Sequence, residues 1–281
     1  MSYAHPEVLV DTEWISQNPP NENRKLVEVD YDAVNGYQKG HIEGATLMWW
    51  KRDINDPITR DIVSKDDFEK LMARHGISND TEVILYGDFN NWFATFAFWV
   101  FKIYGHENIK IMNGGRKKWE LENRPYVTTE PLSTSAQYTV KNVNHNLRAF
   151  MDDVKKSLNS DNSSLVDVRS PPEFSGQITA PPEYPMEHAQ RGGHIPSANN
   201  IPWATAVNDA DGTFKSVEEL KQNYEPKNVT PDKDVITYCR IGERSSHSWF
   251  VLTYLLGYPN VKNYDGSWTE WGNMIGNPVE K

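Results

Sequence analysis

The chain of 281 residues has a single cysteine, Cys239. That excludes an intrachain disulfide and any metal site built from several cysteines. Basic residues are scarce beside acidic ones, 29 against 39, leaving a formal charge of −10. Such a field repels polyanions, so neither nucleic acid nor an anionic membrane is a fitting partner, and an anionic substrate needs a local basic pocket. Long apolar runs are missing too. The richest, 92–103, falls well short of the roughly 18 residues of a membrane span. The opening Met-Ser-Tyr-Ala-His-Pro-Glu has neither the basic stretch nor the apolar core of a secretion signal, so the expected location is cytoplasmic. No cofactor and no metal are expected. What is abundant is aromatic: ten Trp and thirteen Tyr in a chain that is 38% hydrophobic, enough for sizeable cores.

The chain repeats itself. Residues 83–119 match 235–271 without a gap, with Gly105 on Gly257, Asn108 on Asn260, Gly114 on Gly266 and Trp119 on Trp271. Upstream, Gly40-His41-Ile42 matches Gly193-His194-Ile195, and residues 26–30 match 165–169. Two similar domains follow, 1–127 and 138–281. The polar stretch 123–137, with Pro125 and Pro131, holds the junction, and the linker is placed at 128–137. Short apolar runs at 165–168, 235–238 and 261–264 read as buried parallel strands. They alternate with helical patterns at 146–158, 216–224 and 245–256. Ser245 or Ser246 can cap the last of these, and Gly257 can end it. This alternation predicts an α/β fold with parallel sheets covered by helices on both faces.

Cys239 falls between the strand 235–238 and the helix 245–256, in the string Cys-Arg-Ile-Gly-Glu-Arg-Ser-Ser. A free thiol ionises at about 8.5, so little is thiolate at neutral pH. A helix N-terminus offers unpaired N–H groups and about half a positive charge. Arg240 and Arg244 add full charges. Gly242 lets the backbone turn so that the N–H groups of Ile241, Gly242, Glu243 and Ser245 form an anion nest. A depressed Cys239 pKa and an anionic ligand are the expectation. Glu243 opposes it unless it points outward or pairs with an arginine.

The strand–Cys-loop–helix, the paired Gly-His-Ile motifs, the Asp167-Val168-Arg169 strand end and Gly-Ser-Trp-x-Glu-Trp at 266–271 resemble the rhodanese family, and within it the two-domain thiosulfate sulfurtransferases. The resemblance covers nearly the whole chain. It implies tandem domains of which only the second is active. The residues agree: Gly87 stands at the Cys239 position, Asp88 at Arg240 and Trp92 at Arg244, so the first copy cannot run thiolate chemistry and is expected to wall the active domain. The implied reaction moves the outer sulfur of thiosulfate onto Cys239 as a persulfide, then to cyanide, a thiol or a protein acceptor. Members with a lysine two residues after the cysteine use its charge; here that residue is Ile241, which shifts weight to Arg244 as binder of the sulfonate, with Arg240 second and Arg191 third.

Other residues are assigned to packing. Asp167 and Arg169 are expected to pair and brace the loop, His41 and His194 to hold turns, His247 to sit on a helix surface, Trp271 in the core and Trp268 along the cleft. Three rival readings remain. A cysteine phosphatase or arsenate reductase needs Cys-x5-Arg, and the loop here is one residue short. A 3-mercaptopyruvate sulfurtransferase typically has Cys-Gly-Ser-Gly, without the arginines. A noncatalytic binding module conflicts with the intact second loop.

Overall fold

The computed structural model describes residues 2–132, 135–181 and 187–281. By contacts it divides into two compact units, one of residues 7–145 with 209–214, the other of 146–208 and 215–281 with the chain start through Pro6.

The first unit carries β1 (Leu9–Val10), β2 (Arg24–Asp30), β3 (Ala45–Trp49), β4 (Glu82–Gly87) and β5 (Ile109–Met112). They form one sheet in the order β1-β5-β4-β2-β3, every pair parallel. Its helices are α1 (Thr12–Gln17), α2 (Trp50–Asp53), α3 (Lys65–Arg74), α4 (Trp92–Ile103) and α5 (Gly115–Leu121). Consecutive residues of β4 are buried, from Val83 to Gly87, so both faces of the sheet are covered. Leu26, Ile84, Tyr86 and Met112 pack with Tyr37 and Trp119 on one side.

The second unit repeats the plan. Its sheet runs β7-β6-β8-β9, with β6 (Ser163–Asp167), β7 (Asn199–Asn200), β8 (Asp234–Tyr238) and β9 (Val261–Tyr264), again all parallel. The helices are α6 (Met151–Ser157), α7 (Pro171–Phe174), α8 (Val217–Tyr224), α9 (Glu243–Phe250) and α10 (Ser267–Asn273). Leu165, Ile236, Tyr238 and Tyr264 form its core with Trp268 and Trp271. Register sets Asp167 beside Tyr238 and Tyr238 beside Tyr264. The carboxyl ends of β6, β8 and β9 are therefore level, where open parallel sheets bind ligands.

Two helices and one side chain differ from the sequence reading. α6 starts only at Met151, because the Asp153 carboxylate accepts from the Phe150 N–H at 3.0 Å and fixes the start there. α9 starts at Glu243, two residues before the expected serine caps. Gly242, at φ 100, takes the cap position in a left-handed conformation closed to most side chains. Ser245 and Ser246 instead donate to the carbonyls of Gly242 and Glu243, at 3.1 and 2.7 Å. Trp268 is fully buried in the core, its Nε1 donating to Arg191 O at 2.9 Å, so it does not line a cleft.

The Gly-His-Ile turns match in both units. His41 stacks on Tyr37 at 3.7 Å and His194 on Phe174 at 3.6 Å. The following N–H, of Ile42 or Ile195, donates to the hydroxyl of Tyr86 or Tyr238 at 3.0 and 3.1 Å.

Candidate active site

Cys239 is the first residue past β8 and has no exposed surface. Its backbone is clamped by the first turn of α10. The Cys239 N–H donates to Ser267 Oγ at 3.1 Å, Cys239 O accepts from the Trp268 N–H at 3.1 Å, and Arg240 O accepts from the Thr269 N–H at 3.0 Å. Ser267 Oγ donates onward to Tyr264 O at 2.6 Å. The sequence reading missed Ser267, yet the repeat carried a signal for it. Ser267 falls on Gly115, so the first copy has glycine opposite both Cys239 and Ser267.

The turn closes through Gly242. A Cβ there would lie 2.7 Å from the Asp265 Cα. Its N–H donates to Cys239 Sγ at 3.1 Å, and the N–H groups of Ser245 and Ile241 also favour negative charge on the sulfur. The loop thus presents three of the four expected N–H donors to one atom.

The side-chain charges differ from expectation. Glu243 is buried and turns inward. The Cys239 thiol donates to its Oε2 at 3.3 Å, while Oε1 lies 3.5 Å from Arg244 Nε. Burial first, and the Glu243 carboxylate second, push the Cys239 thiol up from its ordinary value, against Arg244 and the loop N–H groups. The expected depression is therefore reversed in the resting thiol.

Arg244 forms a two-pronged ion pair with Glu173 of α7, both contacts 2.9 Å. Glu173 also accepts from the Ser170 N–H and hydroxyl at 3.1 and 2.8 Å. Burial resists ionisation of Glu173, but the Arg244 hydrogen bonds and charge outweigh it and bring the carboxyl down to about 2. The pair turns one N–H of each Arg244 Nη to Glu173 and fixes the guanidinium against α7. Arg240 is fully buried in the loop.

Arg191 does not belong with these groups as the sequence reading had it. Its guanidinium donates to the carbonyls of Gly272, Asn277, Trp271 and Met274, at 2.6 to 3.0 Å, which makes it a brace for the end of α10. Arg169 and Asp167 form the expected pair, with Arg169 Nη2 to Asp167 Oδ2 at 2.6 Å and a further bond to Gly193 O at 2.8 Å. The Arg169 guanidinium lies 4.8 Å over the Trp268 ring. His247, placed on a helix surface by the sequence reading, is fully buried instead, with its ring 5.5 Å from that of Trp203. α9 is covered on every face, so no position on it is a surface position.

Among the described residues, no group of three or more His, Cys, Asp or Glu could hold a metal ion, and no helix is long and apolar enough to cross a membrane.

The description "Rhodanese-like domain" matches residues 11–122 and again 150–274. By sequence the chain is similar to the sulfur carrier protein TtuD of Thermus thermophilus, 55% identical over 100% of this chain and 99% of that protein. It is also similar to a Saccharopolyspora erythraea protein named "Putative thiosulfate sulfurtransferase", 53% identical over 99% of this chain and 97% of that one. Among solved structures it resembles an anaerobic ergothioneine biosynthesis enzyme from Chlorobium limicola in complex with its natural substrate, trimethyl histidine. That likeness has a TM-score of 0.86 and 26% identity over 99% of this chain and 71% of that one.

Proposed function

The chain belongs to the rhodanese family, and from that premise we propose that it is a thiosulfate sulfurtransferase that works through a persulfide on Cys239. The observation that carries this reading is the convergence of loop N–H groups on Cys239 Sγ at the head of α9. A sulfur carrying negative charge needs such donors, and in covalent transfer the outer persulfide sulfur is that charge. In this reading the Cys239 thiolate attacks the outer sulfur of thiosulfate, sulfite leaves, and a thiophilic acceptor takes the sulfur away. Arg240 and the loop N–H groups receive the sulfonate. Arg244, held by Glu173, positions the first turn of α9 and lends its charge from there.

A second reading, a sulfur carrier that hands its sulfur to a protein, is favoured by the likeness to a protein of that name. It is also favoured by charge: Glu173 and Glu243 offset Arg240 and Arg244, so the pocket is no strong trap for a dianion. Both readings share the persulfide.

The test is the intact mass of the protein after thiosulfate, with and without later cyanide. A gain of one sulfur on Cys239, lost to cyanide as thiocyanate forms, is the expected result. Gain only from mercaptopyruvate would reassign the donor. No gain from either would end the proposal.

A further inference from the structure

Glu243 occupies a place that a site built for anions should leave to a neutral or basic group. Its Oε2 accepts from the Cys239 thiol at 3.3 Å, in a pocket where both residues are buried. The thiol form gains a hydrogen bond to a charged acceptor. Once the proton is gone, the same oxygen faces a negative sulfur with little water between them. The neighbouring charges do not cancel this difference. Arg244 of α9 touches Glu243 only at 3.5 Å and gives both Nη atoms to Glu173 of α7. Asp265, which packs on Gly242 from the turn after β9, is held by Arg148 at 3.0 Å. Asp167 and Arg169 at the end of β6 are closed on each other. Arg240, in the loop itself, is fully buried.

We propose that Glu243 sets the sulfur-donating power of Cys239. Its carboxylate raises the free energy of both anionic states of that residue, thiolate and persulfide, relative to the neutral thiol. The empty site then rests protonated, and the loaded site gives up its sulfur readily, as a donor to other acceptors must. This rests on the sulfur-transfer reading above and deepens it. In the loading step the Sγ–H bond breaks and an Sγ–S bond forms to the outer sulfur of thiosulfate. The S–S bond of thiosulfate breaks with its electron pair going to sulfite, and the thiol proton leaves on sulfite as hydrogensulfite. One dianion becomes two monoanions, and one of these, the persulfide, lies beside Glu243. The equilibrium of this step therefore reports the carboxylate directly, as ionisation of the thiol does.

The experiment compares the full-length protein with Glu243→Gln, which keeps shape and an acceptor oxygen, and with Glu243→Asp, which keeps the charge but draws it back. Two quantities are read: the pH midpoint of Cys239 alkylation by iodoacetamide, and the persulfide-to-thiol ratio by intact mass at one pH and one thiosulfate-to-sulfite ratio. Glu243→Gln should lower the alkylation midpoint by about one pH unit or more and raise the persulfide ratio tenfold or more, one unit and tenfold being the same free energy. Glu243→Asp should fall between. Water admitted by a loosened fold would also favour both anions, but as much in Glu243→Asp as in Glu243→Gln, so equal shifts in the two variants overturn the proposal. An unchanged or raised midpoint, or a persulfide ratio that stays level or falls, overturns the proposal. If the unaltered protein takes no sulfur from thiosulfate, the sulfurtransferase reading fails by itself. The alkylation midpoint then still decides on Glu243: a fall with Glu243→Gln supports its effect on the thiolate, and no fall refutes it.

Discussion

The turns after β4 and β8 are copies of one another with different fillings. After β8, Cys239 gives its N–H to Ser267 and its thiol proton to Glu243. After β4, Gly87 gives its N–H at 3.0 Å to the side-chain oxygen of Asn91, the repeat partner of Glu243, and the Asn91 amide goes on to Met112 O at 2.9 Å. The side chain four residues on thus closes on the strand end in both copies. In one it meets a sulfur; in the other its oxygen takes the strand-end N–H that Ser267 takes in the second copy, and that oxygen would lie 2.6 Å from a Cβ at Gly115, the repeat partner of Ser267. The second turn needs one left-handed residue, Gly242, whereas the first uses three in a row, Phe89, Asn90 and Asn91 at φ 46, 51 and 66. A parallel-sheet end supplies a turn lined with amides, and a few side chains decide whether it receives an anion or is sealed from within.

The charges diverge in the same way. Around the first turn lie Glu28, Asp30 and Asp88, and burial lifts all three carboxyls above their ordinary values. Around the second, the buried carboxylates Asp167 and Glu173 each have an arginine. In the first copy Arg116 pairs with Glu28, yet burial still outweighs it; in the second the Arg244 pair outweighs burial at Glu173.

The hardest blow to this contrast is Cys239→Ser. Sulfur uptake should fall by roughly a thousandfold or more while the fold survives, since a hydroxyl neither ionises nor carries sulfur under these conditions. Adding Gly87→Cys to that variant should restore nothing. A Cβ at Gly87 would lie 2.1 Å from Val29 O, so the first strand end cannot take a side chain without moving backbone. Any sulfur mass on the double variant would show that the first turn is less closed than described.

Next in size is Glu173→Gln. It leaves Arg244 buried without its carboxylate partner, a loss of about 3 kcal/mol at pH 7. The folded Glu173 titrates near 2, below its unfolded value, so its contribution is present above the unfolded value and is lost as pH falls through the folded one. The gap in Tm between the two proteins should be full at pH 6 and close on the way to about pH 2. A gap that does not change with pH would assign the loss to packing alone.

Ser267→Ala is smaller. It removes the acceptor of the Cys239 N–H and should cost about 1–2 kcal/mol. Persulfide formation should slow by more than the lost stability explains, because the strand end that aims Sγ is released. Equal kinetics at saturating thiosulfate would reduce Ser267 to a fold residue.

How much of this the sequence carried follows from range. The strands, the repeat and the position of Cys239 were legible, because apolar runs and matched glycines are local signals. The start of α9 was not, because Gly242 caps it from a left-handed conformation while two serines nearby offered the usual cap. The Arg244–Glu173 pair joins α9 to α7 and leaves no mark at any fixed spacing. Arg191 looked available because the carbonyls that engage it come from the far end of α10. Glu243 was legible as a problem but not as an answer: the string permits it to face outward or inward, and only packing decides.

The smallest effect has the opposite sign. Asp88 stands where the second copy has Arg240, and burial, then the nearby Asp30, holds its carboxyl well above the usual range against the N–H groups of Asp32 and Tyr31. Because the folded value exceeds the unfolded one, the favourable contribution of Asp88 is complete below the unfolded value and is lost as pH rises through the folded value. At pH 7 the folded chain therefore carries a cost that Asp88→Asn removes, since an amide fills the same space and can still accept from both N–H groups. Stability should rise by about 1 kcal/mol at pH 7, and the gain should vanish as pH falls into the ordinary carboxylate range near 4. Glu173→Gln and Asp88→Asn would then shift Tm in opposite directions at neutral pH and converge on the unaltered protein in acid. A fall in Tm with Asp88→Asn at pH 7 would mean that the acidic filling of the first turn is held by contacts an amide cannot replace.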